Sequence, residues 1–382
     1  MRNAETSQKG SVALTLLSLI LISLAAFGLN SYCGSFVADA AVFSAGLAMP
    51  EGSVSVIKNQ LIQNEAQNVN GQQKTVISEP VNDTAGSFSV PAVSNGEAST
   101  PADIALMAQE FKLTYAEASH DGSITEKQYD ASNATAVFEN ITVRNTTPSH
   151  SIDIQASFNS PLEFSVADKS QPTVLIFHTH TTEAYEMLDE GWFTTAYSTR
   201  SQDPKRNMVR VGTAICEELE KSGVGYIHDT EIHDLQYTGA YDRSRVTIEE
   251  ILKKYPTIQI VLDVHRDAIH PSETSRIKPV AAINGKKAAQ VMIIAGCEDG
   301  KVKSFPGWEK NLTFALRLQK TAETLYPGLM RPVLFSARKY NMDVVPCSAL
   351  LEFGSDSNTL EEAEYSGHLI GRAIAQFVAD NS

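Results

Sequence analysis

Four short apolar runs punctuate the second half of the chain: TVLIFH ending at His178, IQIVLDVH ending at His265, QVMIIAG ending at Gly296 and SALLEFG ending at Gly354. Runs of this length and greasiness suit strands buried on both faces. Helical patterns separate them. Residues 207–222 place Met208, Val211, Ile215 and Leu219 at a spacing near 3.6, with Cys216 beside the stripe and Gly223 as a stop. Gly212, inside that stretch, works against a helix. Residues 241–254 and 308–326 repeat the pattern. Residues 359–378 predict a last helix, with Asn358 or Thr359 as N-cap and Glu361 and Glu362 in its first turn. Strands alternating with helices predict a three-layer α/β domain over residues 172–382, with a mostly parallel sheet covered on both faces. No internal repeat is visible.

Upstream the pattern weakens. Residues 102–171 predict a small pre-domain or a segment that docks on the next domain, and Thr142–Asn145 and Ile152–Ile154 alternate like short strands. Residues 39–101 read as a disordered linker, polar and without an apolar period from Gln60 to Pro101. Residues 10–38 carry no charge, and residues 12–29 (VALTLLSLILISLAAFGL) are near the lower limit for a membrane-spanning helix. Arg2 and Lys9 precede that stretch, which keeps the N-terminus cytoplasmic and puts the rest of the chain outside. A cleaved signal peptide, cut near Val37-Ala38-Asp39-Ala40, is the competing reading. The apolar length favours a retained anchor over residues 1–38, hence a single-pass protein of the cell membrane.

Composition narrows the function. With 42% apolar and 20% charged residues, the 382-residue chain can bury a large core. A net charge of −14 excludes nucleic acid as a partner, since phosphate binding needs a basic footprint. The cysteines, Cys33, Cys216, Cys297 and Cys347, show no zinc-finger spacing. The last three read as small core residues, with a Cys297–Cys347 disulfide as an alternative in an oxidising compartment.

Ionisable residues collect where the strands end, and that is where open α/β sheets build their sites. The first run continues into HTHTTEAY, with His178, His180 and Glu183; the second carries Asp263, His265, Arg266 and Asp267; the fourth carries Glu352. Histidines and a carboxylate suit a catalytic zinc, which takes three protein ligands and keeps one position for water. Another carboxylate can then move the proton from water to the leaving group, and Glu352 is the candidate. His178 and His180 lie two apart and both face the site if the backbone stays extended, although one of them suffices as a ligand. Asp263 and Asp267 are candidates for supporting roles around the ligands. Arg266 is a candidate for holding a substrate carboxylate, or for pairing with Asp267. No G-x-S-x-G elbow or glycine-rich phosphate loop is present.

The blocks HTHTTEAY, DVHRDA and LLEFGSDSNTLEEA resemble the stage II sporulation protein P family of spore-forming bacteria, and the resemblance runs from Phe138 to Phe377. FENITVRN, PTVLIFHTHTTEAY and RNMVRVG belong to it as well. It implies a zinc-dependent N-acetylmuramoyl-L-alanine amidase that acts on peptidoglycan, is credited with cutting peptide cross-links too, and works in forespore engulfment with sporulation proteins of the D and M type. The related zinc amidase superfamily uses two histidines and a glutamate on the metal and a second glutamate near the C-terminus. Carried over, the first histidine lies in HTH, with strand alignment favouring His180 over His178. Glu183 and His265 complete the ligands, and Glu352 is the catalytic glutamate. In the common amidases many more residues separate the first histidine from the metal glutamate than the three to five here. Two other functions compete: an endopeptidase without amidase activity, and a non-catalytic module that binds the wall or scaffolds a sporulation complex.

Overall fold

A computed structural model describes residues 76–77 and 100–382, apart from residue 301. The strands are β1 (Val76–Ile77), β2 (Gly122–Lys127), β3 (Ala136–Phe138), β4 (Ile141–Asn145), β5 (Val174–Phe177), β6 (Trp192–Phe193), β7 (Tyr226–His228), β8 (Ile260–Asp267), β9 (Ser275–Ile283), β10 (Lys286–Ala289), β11 (Val291–Gly296), β12 (Val333–Ser336) and β13 (Cys347–Ser355). The helices are α1 (Ala102–Thr114), α2 (Ile154–Asn159), α3 (Met208–Lys221), α4 (Ala240–Lys254), α5 (Trp308–Leu325) and α6 (Leu360–Asn381).

The four apolar runs form β5, β8, β11 and β13, central members of a sheet ordered β1-β7-β5-β8-β13-β11-β12-β4-β3. The block β7-β5-β8-β13 is parallel throughout. β11 runs antiparallel to β13, and β12 and β4 then run parallel to β11. A second sheet, β10-β9-β2-β6, lies beside the first. Its β9–β10 hairpin turns on Asn284 and Gly285, both at positive φ (51° and 81°), as a two-residue hairpin loop requires.

Strand alternation sorts the side chains. Val174 and Ile176 of β5, Ile260, Leu262 and Val264 of β8, and Ala349, Leu351 and Phe353 of β13 share a core with α3, α5 and α6. Leu175, Phe177 and Val261 point the other way, onto Ile248 and Ile251 of α4. These two cores make the three layers. Helix ends follow local chemistry. Asn207 caps α3 by accepting from Val209 N, and Thr359 caps α6 in a capping box with Glu362.

Residues 102–171 are woven into both sheets: β4 extends the main sheet beside β12, and β2 pairs with β6 and β9. The strand expected at Ile152–Ile154 does not form. The Asp153 carboxylate accepts from Ala156 N and starts α2 instead. Cys216, Cys297 and Cys347 are buried free thiols, so the Cys297–Cys347 alternative fails. Among the described residues no helix is long and apolar enough to cross a membrane. The expected anchor at residues 12–29, and nearly all of the expected linker, lie outside the described residues.

Candidate active site

The parallel block carries its ionisable residues at one end. β13 pairs with β8 so that Glu352 lies opposite His265. By alternation Asp263 and His265 leave β8 on the α4 face, and Glu352 leaves β13 on that same side. After Phe177 the chain stops being strand and turns through residues 179–182, which brings His180 and Glu183 over the ends of β5 and β8.

Glu183 and His265 meet at the centre. Glu183 Oε2 lies 3.4 Å from His265 Nδ1 and accepts from Arg266 N at 3.2 Å. Burial pushes the Glu183 carboxyl up, but His265 and the Arg266 charge outweigh it and hold the group far below the usual carboxylate range. Burial also works against a charged His265, and there the Asp263 and Glu183 carboxylates win and raise it well above an ordinary histidine. Asp263 Oδ1 sits 2.7 Å from His265 Nε2, outside hydrogen-bonding geometry, while its two oxygens accept from Thr179 N at 2.9 Å and Thr179 Oγ1 at 2.7 Å. Asp263 therefore ties the loop after β5 to the histidine on β8.

His180 stacks on Tyr237, with ring centroids 4.7 Å apart and planes 2° apart, and its ring is 5.3 Å from that of His265. Burial pushes it down to about 4, so the ring is neutral. Glu352 is pushed up to about 8, first by burial and then by the neighbouring negative charge of Asp267. Asp267 itself pairs with Arg331 at 3.0 Å. His180 Nδ1, His265 Nε2 and Glu352 Oε2 are buried without a hydrogen-bond partner. Buried polar atoms are nearly always satisfied, so the orphaned His180 Nδ1 and Glu352 Oε2, both within the field of Glu183, mark a place that wants a ligand. His265 Nε2, by contrast, faces Asp263, and its Nδ1 is the nitrogen turned to Glu183.

The structure places two of the expected residues apart from this group. His178 does not join the group: it continues the Val174–Ile176 face of β5, toward α3 rather than α4, and bonds Val264 O and His228. Arg266 turns its guanidinium onto backbone carbonyls of the fold. The group is buried, and donates from Nε to Ala184 O at 3.0 Å, from Nη2 to Thr199 O at 3.0 Å and from Nη1 to Asp267 O at 3.3 Å. It fastens the loop that carries Glu183.

Sequence reasoning missed three neighbours. Arg200 donates to Asp234 Oδ2 at 2.8 Å and lies 3.6 Å from Glu183 Oε1. Asp234 Oδ2 is in turn 3.9 Å from His180 Nδ1, and Tyr237 supplies the stacking ring. All three sit in irregular segments without periodicity. The β-bridge between Glu183 and Arg200 that joins them leaves no mark in the sequence.

Among the described residues, two trios hold their ligand atoms within 4.8 Å of one another: Asp229–Glu231–His233 and Glu126–Asp189–Glu362. His180, Glu183 and His265 are a looser set. Both tight trios already have partners of their own, His233 Nε2 lying 2.8 Å from Asp229 Oδ2 in the first. His233 is raised by its Asp229 partner, against the burial that lowers it, and Lys278 Nζ contacts Glu126, Asp189 and Glu362 at 2.9, 2.5 and 2.9 Å.

The family described as stage II sporulation protein P matches residues 60–375. The stage II sporulation protein P of Bacillus subtilis (strain 168) is 30% identical over 219 residues, covering 54% of this chain and 51% of that protein. The chain thus spans about half the length of the curated relative it matches. Solved structures with some likeness include the amidase CwlD of Clostridioides difficile in complex with the GerS lipoprotein (TM-score 0.36, 13% identity, 55% of this chain and 99% of that one). Another is the N-acetylmuramoyl-L-alanine amidase AmiC2 of Nostoc punctiforme (TM-score 0.34, 13% identity, 55% and 96%). Likeness of this size decides nothing about chemistry. The family match covers most of the chain: it belongs to the stage II sporulation protein P family.

Proposed function

We propose that this chain is a zinc-dependent hydrolase of peptidoglycan, an N-acetylmuramoyl-L-alanine amidase that acts during forespore engulfment and also cuts peptide cross-links. The observation that carries the proposal is the pair of orphaned buried atoms, His180 Nδ1 and Glu352 Oε2, beside the ionised Glu183 and the His265 Nδ1 that faces it. Two imidazoles and a carboxylate are a zinc donor set, and the residues fit the ion. His180, Glu183 and His265 would hold it. A ligand histidine must be neutral. Burial favours that form for His180, whereas at His265 burial is outweighed by the carboxylates of Asp263 and Glu183, which favour the charged form; that ring would give up its proton to bind. When bound, zinc supplies a Lewis acid for the carbonyl and an acidified water.

The chain's own residues do the rest. Asp263 orients His265 and anchors Thr179 at the same time. Glu352 takes a proton at Oε2 and returns it to the leaving amine. Its proton affinity, pushed up by burial, suits a group that must both accept and give a proton. Asp267 raises that affinity. In this reading residues 12–29 anchor the protein, residues 39–101 tether the domain outside the membrane, and family membership brings partners of the D and M type.

A second reading, a wall-binding module without catalysis, draws support from the looseness of the three ligands and from Arg200 lying 3.6 Å from Glu183. Digestion of purified peptidoglycan by the full chain, with and without chelator, separates the two. We expect stem peptides and peptide-free lactyl-muramic glycan, identified by mass, and neither product after chelation. Cross-link cleavage alone contradicts the amidase assignment, and no product at all favours the binding module.

A further inference from the structure

Backbone pairing between β5 and β8 ends at Phe177 opposite Asp263. The next carbonyl along β8, Val264 O, is met instead by a side chain: His178 Nδ1 lies 2.9 Å from it. A carbonyl oxygen only accepts, so Nδ1 carries the proton. The ring is fully buried, with a carbonyl and another imidazole as its hydrogen-bond partners and no ion pair, so it carries a single N–H. Its Nε2 is therefore an acceptor. The atom facing it, at 2.9 Å, is His228 Nε2, which must be the donor. The direction is fixed: His228 donates to His178, and His178 donates to Val264 O. His228 ends β7, His178 follows β5, and Val264 precedes His265 on β8. Three neighbouring strands are tied at their site ends by two imidazoles.

Helix α3 leaves room for this arrangement at one residue. A Cβ on Gly212 would stand 2.5 Å from His228 Nε2 and 2.6 Å from His178 Nε2. Glycine in a helix interior runs against propensity, and here the two nitrogens occupy the space a side chain would need. An apolar pair in place of the histidines would satisfy burial but leave Val264 O without a donor from β5.

We infer that His178 and His228 are positioning residues, whose hydrogen-bond relay to Val264 fixes the spacing between His180, two residues beyond the relay's middle member, and His265, one residue beyond its acceptor. This rests on the zinc reading above and gives the first histidine of HTH a function distinct from ligation.

The test uses the full chain and reads zinc affinity by chelator competition, the absorption spectrum of the cobalt-substituted protein, and folding by circular dichroism. His178→Asn keeps an N–H where Nδ1 stands; His178→Leu does not. We expect H178L to fold and to bind zinc roughly 10- to 100-fold more weakly, with an altered cobalt spectrum, as outer-shell losses do. H178N should recover most of the affinity and the spectrum. The variant H228L, which removes the donor to His178 Nε2, should weaken zinc in the same sense, and H228Q, which keeps an N–H there, should restore it. If H178L does not fold, the H228 pair decides. Parental affinity and spectrum in H178L, or in H228L, overturn the inference. An H178N protein as weak as H178L overturns it in favour of direct ligation. A parent chain that binds no zinc fails the underlying reading, a separate outcome from a zinc-binding parent indifferent to these substitutions.

Discussion

Glu352 on β13 stands opposite His265 on β8 in parallel register, and both leave the sheet on the side away from α3. The pairing brings a carboxyl whose proton affinity is pushed up by burial and by Asp267 beside an imidazole held between two carboxylates. In the proposed zinc reading it would also separate two jobs on adjacent strands, ligation on β8 and proton transfer on β13.

That separation predicts the behaviour of Glu352→Gln. The amide keeps shape and polarity but accepts no proton. Zinc content should stay at the parental level while turnover of peptidoglycan falls by about 10²-fold or more. Metal analysis beside a product assay on one preparation checks it. Loss of zinc with the activity would place Glu352 among the ligands instead.

Gly212→Ala sets helix propensity against packing. Propensity alone favours alanine by about 1 kcal/mol. The new Cβ, 2.5 and 2.6 Å from two imidazole nitrogens, forces the histidines or α3 to move. Overpacking of this kind costs roughly 1–3 kcal/mol, so the variant should unfold at lower denaturant than the parent. A midpoint equal to or above the parent's contradicts the close contact.

Acid should unfold the domain through identifiable carboxylates. Burial raises Glu218, but hydrogen bonds from His368, Lys221 and Arg372 overcome it and bring the group to about 2, from 4.5. Asp356, likewise raised by burial, is brought to about 2 from 3.8 by His270 and nearby arginines. A carboxyl depressed on folding stabilises the fold fully above its unfolded value, and that contribution drains away as pH falls through the folded one. Stability should therefore hold above about pH 4.5 and decline towards pH 2. Replacing Glu218 with Gln should flatten that decline in a urea titration repeated across pH.

Much of the fold is written in apolar periodicity. The four greasy runs became the central strands, and the stripe of Met208, Val211, Ile215 and Leu219 became the buried face of α3. The second sheet was less visible because its strands are short and mixed, although Asn284-Gly285 is a hairpin signal with a physical cause. His178 illustrates where pattern ran out. Two-residue spacing places His178 and His180 on one face only while the backbone is extended, and the chain turns after Thr179. Arg266 gave no hint that backbone carbonyls would absorb its donors, because those carbonyls belong to residues 67 and 82 positions away in sequence. Asp234 and Arg200 reach the site from loops, where no periodicity points inward.

The most direct measurement is zinc stoichiometry by elemental mass spectrometry on the purified full chain and on His265→Ala. The account predicts about one zinc per parent chain, from one three-ligand site, and a large loss in H265A that keeps its fold. A folded parent without zinc, or an H265A protein that retains the parental amount, contradicts it.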